Sequence, residues 1–137
     1  VDTLADLVAA GVVTDLERQA MSIPIVGRSA KDFESPFAPS GTFEKLSIAR
    51  MELFEAEDRF WKQYRSDGKA RVLGAQWAAF TRNALFPTLS WALDPNREQP
   101  VSVFFDELEK GIAARIEAEP VQIRIPLAQL VIEKRAD

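Results

Sequence analysis

The sequence contains neither cysteine nor histidine. Without cysteine there is no disulfide, no thiolate nucleophile and no cysteine-ligated zinc or iron–sulfur centre. Without histidine the chain lacks the side chain most often used for proton transfer near neutral pH, and the commonest metal ligand. Ser-His-Asp and Cys-His catalytic sites are therefore excluded. We expect no metal and no cofactor, and an enzyme that relies on Asp, Glu, Lys, Arg, Tyr or a bound cofactor is the least favoured function.

A strong net charge of one sign is also absent. The chain has 17 Lys and Arg residues against 21 Asp and Glu residues, a formal net charge of −4 and a pI near 5.0, so it has no overall attraction for nucleic acid or anionic membranes. In the stretch 59–82, six basic residues against Asp67 alone leave a local charge of +5 among aromatic residues. Cations beside aromatic rings are typical of grooves for single-stranded nucleic acid. Because acidic residues precede this stretch at helical spacing and neutralise it, a nucleic-acid partner is not expected.

The longest weakly charged stretch, residues 72–93, contains Arg82 as its only formal charge. It has about the ~20 residues that a bilayer requires. Polar and helix-breaking residues interrupt its middle, namely Gln76, Arg82, Asn83 and Pro87. Because a central Arg alone costs about 2.5 to 3.5 kcal/mol on insertion, we expect no membrane span. The stretch instead predicts a buried core helix that breaks at Phe86-Pro87, and without a visible signal peptide we expect a cytoplasmic protein.

The preceding stretch, residues 43–64, predicts one long amphipathic helix. Its apolar residues recur three or four positions apart, at Leu46, Ala49, Leu53, Ala56, Phe60 and Tyr64. This spacing places them on one stripe of a helix, with the charged residues opposite. Thr42 is the expected N-cap, and Ser66-Asp67-Gly68 is the expected break before the next helix.

The remaining segments complete a single domain of three parts. Residues 1–22 form an N-terminal helical arm, with Asp2 capping a first helix and Thr14 pairing with Glu17 in the capping box of a second. Residues 23–41 are a loop or linker rich in proline and glycine. Residues 42–137 are a helical core with a C-terminal strand, and this core includes a predicted helix over 101–118.

The C-terminal segment predicts a β-strand or short hairpin. Val121, Ile123 and Ile125 alternate with polar residues, and Leu130 and Ile132 continue the pattern beyond Pro126. One strand cannot satisfy its own backbone hydrogen bonds, and residues 23–26 are the only other extended candidate. The partner strand is therefore either weakly encoded in this chain or supplied by another copy or another chain.

We therefore predict a mainly α, α+β fold of about four to five helices with this C-terminal strand or hairpin. Because helices dominate this prediction, we also class the chain as all-alpha and as a helical bundle. The predicted function is that of a non-catalytic interaction or assembly protein, which self-associates as a homo-oligomer or binds another protein chain. Its expected contact surfaces are residues 72–93 and the C-terminal strand.

The alternative function is a small-molecule or anion-binding domain with a pocket between helices around Arg82, Trp77 and Trp91. A buried arginine needs a carboxylate, a carbonyl or a bound anion, unless it extends to the surface. Tryptophan is common both in cores and at interface hot spots. The predicted ligand- or partner-binding residues are Trp77, Arg82, Trp91, Arg59 and Lys62.

Overall fold

The computed structural model describes residues 2–38 and 40–134, which contain seven α-helices, one 3-10 helix and two β-strands. In chain order these elements are α1 (Thr3–Ala9), α2 (Asp15–Ala20), α3 (Ala30–Glu34), the 3-10 helix (Ser35–Phe37), β1 (Leu46–Glu55), α4 (Arg59–Asp67), α5 (Ala70–Ala84), α6 (Phe86–Ser90), α7 (Val101–Ala118) and β2 (Pro126–Lys134). The fold is of the α+β class with a C-terminal strand, as predicted. The all-alpha description is wrong, because β1 and β2 form a two-stranded antiparallel sheet.

The chain divides into two compact units. The first unit joins Val1–Pro24 to Arg59–Gln122, and it contains every helix except α3 and the 3-10 helix. The second unit joins Ile25–Asp58 to Ile123–Asp137, and it contains both strands. Each strand therefore finds its partner about eighty positions away in the sequence.

The first unit has a hydrophobic core built around α6 and α7. Phe86 and Phe104 are fully buried there, and Phe86 meets the ring of Phe105 at 5.6 Å between centroids. Leu7 of α1 and Val13 are buried in the same core. The N-terminal helices therefore pack as part of the first unit.

Local capping signals correctly predicted the ends of several helices. The Asp2 side chain accepts a hydrogen bond from the backbone of Leu4 and caps α1. Thr14 and Glu17 form the reciprocal capping box of α2. Gly68 follows α4 with a φ of 68°, which favours glycine at a helix end. The helix over residues 101–118 and the break between α5 and α6 near Pro87 are also confirmed.

The long helix predicted over residues 43–64 is wrong. Its first half is the strand β1, and α4 starts only at Arg59. Thr42 caps no helix there, because the chain makes a tight turn in which Glu44 and Lys45 have positive φ angles of 47° and 69°. Phe43 and Leu46 exchange backbone hydrogen bonds of 2.9 and 2.8 Å across this turn.

The C-terminal strand is also placed differently from the prediction. Residues 121–125, with their alternating pattern, lie outside the strand, and β2 begins at Pro126. Proline has no backbone N–H to donate to a strand ladder, but it is tolerated as the first residue of a strand. The partner strand is β1 of the same chain, so the first of the two alternatives for the missing partner is the one that the fold adopts.

Within residues 2–38 and 40–134, no helix combines the length and apolar character needed to cross a bilayer. The stretch 72–93, which raised this question, is divided between α5 and α6.

Gly74 allows a close approach of α5 to α7, and this contact gives a first prediction. A Cβ at position 74 would lie far inside van der Waals distance of the Ala113 carbonyl oxygen and 3.2 Å from its carbon. We expect Gly74→Ala to lower the free energy of unfolding by about 1 to 3 kcal/mol through overpacking, although alanine is the better helix former. Urea denaturation measures the change. Gly27→Ala is the control, since nothing lies within 4 Å of that position; equal stability of the two variants would contradict the close packing.

Glu17 gives a second prediction, because it links α2 to the chain after α6. Its carboxylate accepts hydrogen bonds from the backbone N–H of Thr14 at 2.7 Å and of Asp94 at 2.8 Å. Burial raises the pKa of Glu17, but the hydrogen bonds from Thr14 and Asp94 and the charge of Arg97 together outweigh that effect and lower it. The stabilisation is therefore complete above the unfolded-state pKa and is lost as the pH falls through the lower folded-state pKa.

We expect Glu17→Gln to lower the free energy of unfolding by about 1 kcal/mol at neutral pH, the scale of a lost cap. The difference from the wild type should shrink in acid, and urea titrations at a series of pH values measure it. Leu16→Gln is the control on the same helix, at an exposed position outside the cap. A difference that stays constant down to acid pH would show that the carboxylate charge is not the stabilising feature.

Candidate interaction surface

The two strands pair antiparallel along their whole length. Ile48 lies opposite Ile132, but the next pair is Arg50 with Val131, so Ala49 has no residue opposite it. This irregularity is a β-bulge, which places one extra residue in β1. Because side chains alternate along a strand, one extra residue moves all later side chains of β1 to the other face.

As a result of the bulge, one face of the sheet is apolar along both strands. On β1, Leu46 and Ile48 precede the bulge at even positions, whereas Met51 and Leu53 follow it at odd positions. All four lie opposite even-numbered residues of β2 and therefore share a face. We call this surface the apolar face; its apolar residues are Leu46, Ile48, Met51, Leu53, Ala128, Leu130 and Ile132.

The apolar face is incompletely covered. Leu53 is 53% exposed and Ile132 is 50% exposed, and the other members are half-buried. Among the described residues of the second unit no apolar side chain is buried, and Asp58 is the only buried residue. The Asp58 carboxylate accepts a hydrogen bond from the backbone of Ile123 at 3.1 Å. The described part of this unit therefore has no hydrophobic core of its own.

The opposite face of the sheet is polar at its centre and apolar at one end. At the centre, Arg50 forms an ion pair with Glu52 at 2.6 Å. At the end, Phe54 lies opposite Leu127, and both are exposed. An open groove of 810 Å³ runs past this end; its apolar lining includes Ile25, Val26, Phe33, Phe54 and Leu127.

The residues predicted from the sequence as binding residues lie in the first unit. Trp77 is buried on α5, where its ring makes edge contacts with Phe60 at 5.2 Å and Phe80 at 5.5 Å. Trp91 follows α6 and is 82% exposed. Trp77 therefore serves the core, whereas Trp91 presents its ring to solvent.

Arg82 bridges α5 to α7 through two ion pairs. Its Nη1 donates to Asp106 Oδ1 at 2.7 Å and to Glu109 Oε2 at 2.7 Å. These hydrogen bonds raise the pKa of Arg82, and its guanidinium lies 5.5 Å from the centre of the Phe105 ring. Of the partners that the sequence left open for this arginine, the structure shows carboxylates of its own chain.

Arg59 and Lys62 lie on the exposed side of α4. The helix α5 buries one of its faces. Leu73, Gly74 and Ala78 are buried with Trp77. Phe80 on the same helix is half exposed. The stretch 72–93 thus uses much of its apolar surface inside the first unit.

The carboxylates with shifted pKa values serve helix ends rather than a catalytic pair. Hydrogen bonds from Arg18 and Gln19 lower the pKa of Asp15, and the backbone and side chain of Ser29 lower that of Asp32. In the described ranges 2–38 and 40–134 no three acidic residues cluster closely enough to hold a metal ion. The sheet therefore offers its exposed apolar side chains as a contact surface.

Sequence reasoning missed the β1 half of the interaction surface. Leu46, Ala49 and Leu53 fit a helical stripe as well as a strand. Only the bulge at Ala49 brings Leu46 to the same face as Met51 and Leu53. A signal for the strand was present. Apolar residues alternate at Leu46 and Ile48 and again at Met51 and Leu53, and a shift of one position between the two pairs is what a bulged strand produces.

Comparison with known proteins finds no matching protein-family model and no matching curated protein.

The ion pairs of Arg82 give a third prediction. We expect Arg82→Gln to lower the thermal midpoint of unfolding, because Asp106 and Glu109 lose their cation and α5 loses its link to α7. The loss should be smaller at high salt, which screens partly exposed ion pairs. Thermal scans at two salt concentrations measure both effects. Arg71→Gln, an exposed change on the same helix, is the control, and equal midpoints for the two variants would contradict a stabilising bridge.

Proposed function

We propose that this protein is a non-catalytic interaction or assembly protein, which self-associates or serves as a subunit of a larger complex. The contact surface in this proposal is the two-stranded sheet of the second unit. The observation that supports it is the absence of any buried apolar side chain among the described residues of that unit. The cytoplasmic location expected from the sequence stays a prediction.

The sheet has only two strands among the described residues. An isolated two-stranded sheet is marginally stable in water, and sheets usually need a third strand or a covering layer. Full burial of a leucine or isoleucine side chain contributes about 1.5 to 3 kcal/mol. A partner that covers Leu53, Ile132 and their neighbours on the apolar face would therefore supply stabilisation that the second unit lacks.

This proposal retains one of the two contact surfaces expected from the sequence. The C-terminal strand remains, now together with β1, whereas residues 72–93 contribute buried side chains to the first unit. The alternative function gains no support from the geometry, since Arg82 is already paired with two carboxylates and Trp77 is packed between aromatic rings.

The fourth prediction tests this proposal by mass and by hydrogen exchange. We expect light scattering to give a mass above the 15.3 kDa of one chain, increasing with concentration. Ile132→Glu should lower that mass, because a charge on the apolar face of β2 must be desolvated on contact. Leu16→Glu is the matched control, since Leu16 is 79% exposed on α2, in the first unit.

Backbone hydrogen exchange covers the case in which the partner is a different protein. The purified chain would then be monomeric, and the amides of β1 and β2 should exchange much faster than those of α5. A chain that stays monomeric at every concentration, with sheet amides as protected as those of α5, would overturn the proposal.

A further inference from the structure

We infer that the protein forms a homodimer through the outer edge of β2, in which two chains build a four-stranded antiparallel sheet in the order β1-β2-β2-β1. The two-fold axis passes beside Leu130, so that each Leu130 lies opposite its copy. This inference rests on the proposed function and specifies the partner as a second copy of this chain.

The two outer edges of the sheet differ in how well they are protected. The edge of β1 contains the bulge at Ala49 and the charged residues Arg50, Glu52 and Glu55. Bulges and charges are the features that natural proteins use to prevent pairing at an edge. On β2, residues 126–132 carry no charge, and the pairing register shows no irregularity on that strand's side. The edge of β2 is therefore the one open to strand addition.

The direction of the backbone groups on β2 suits this addition. The carbonyl of Ile125 accepts a hydrogen bond from the Ala56 N–H across the sheet, so odd-numbered residues of β2 turn their backbone groups towards β1. Antiparallel strands alternate in this respect. The N–H and C=O groups of Ala128, Leu130 and Ile132 consequently point outwards, and within the described residues the sheet has no further strand to receive them.

A second copy of β2 complements this edge in the register centred on Leu130. Ala128 then lies opposite Ile132 of the other copy, and Gln129 lies opposite Val131. The charged residues Glu133 and Lys134 meet only Leu127 and Pro126, so no like charges oppose each other. Pro126, which has no N–H, falls at the end of the pairing, where a missing donor is tolerated.

The properties of the outer edge of β2 determine which strand can pair with it. The occupant must be extended, about as long as β2, uncharged in its centre and apolar at alternate positions. The strand β2 meets all of these requirements itself, and an isologous pairing closes after two chains. A two-fold axis perpendicular to the sheet also keeps both apolar faces on one side, and the joined sheet has four strands rather than two.

The absence of cysteine allows a direct test by single-cysteine cross-linking. In Leu130→Cys the two Cα atoms should lie about 5.5 Å apart in the dimer, within the range that a disulfide spans. Met51→Cys is the matched control, because Met51 lies opposite Leu130 on β1 and on the same face. Its two copies would be three strand spacings apart, about 14 Å, which a disulfide does not span.

The fifth prediction is that mild oxidation converts Leu130→Cys, but not Met51→Cys, to a covalent dimer. A protein with dimeric mass in which position 130 does not cross-link would overturn the edge assignment and leave the proposed function standing. A protein that is monomeric at every concentration would overturn the dimer, and the hydrogen-exchange result would then decide the proposed function separately.

A second variant keeps the test informative if Leu130→Cys does not fold. Gln129→Lys places a lysine opposite Glu52 within the chain, where it is favourable, but opposite Val131 of the other copy in the dimer. We expect about tenfold weaker dimerisation, since the change occurs twice in each dimer. Gln122→Lys, at an exposed position before β2, is the control and should leave the dissociation constant unchanged. Equal dissociation constants for both variants would contradict pairing at this edge.

Discussion

The pairing of β1 with β2 is the interaction on which the second unit depends. Its described residues bury no apolar side chain, so the ladder between the strands is its main source of order. The Ala56 N–H donates to the Ile125 carbonyl and extends this ladder beyond β1, and the Asp58 carboxylate accepts from the Ile123 N–H next to it. The two strands are about eighty residues apart, and the chain between them includes residues 59–122 of the first unit. A sheet held in this way leaves two outer edges and an apolar face for other contacts.

The parts of the fold that could be predicted are those specified by neighbouring residues. Asp2 caps α1 and Thr14 caps α2, and both needed only a side-chain oxygen and a nearby backbone N–H. The helix over 101–118 followed from a regular apolar spacing and from Pro100 before its first turn. In each case the whole signal lies within a few residues of the feature that it predicts.

The strand β1 could not be predicted in this way, because its sequence satisfies two patterns at once. Leu46, Ala49 and Leu53 have helical spacing, and the bulge interrupts the alternation that would have indicated a strand. The turn before it gave no signal either, since Glu44 and Lys45 occupy positions with positive φ that usually hold glycine or asparagine. Only the distant strand β2, through its register, decides between helix and strand for these residues.

The surroundings of the residues predicted to bind could not be inferred from the sequence. The sequence left a carboxylate, a carbonyl, a bound anion or the surface open for Arg82. Asp106 and Glu109 are more than twenty residues away, and no local pattern shows which carboxylate reaches it. The same holds for the tryptophans. Trp77 and Trp91 are the same residue type, and only the packing of the chain around them leaves Trp77 buried and Trp91 exposed.

The bulge at Ala49 connects the architecture to the proposed contacts. The extra residue lets a strand with a mixed sequence present Leu46, Ile48, Met51 and Leu53 on one face. The same residue distorts the outer edge of β1 and thereby disfavours pairing there. A sheet with one protected edge and one regular, uncharged edge has a single preferred direction of growth. If both edges were regular, two-sided addition would extend the sheet without limit, whereas one open edge allows a pair to close.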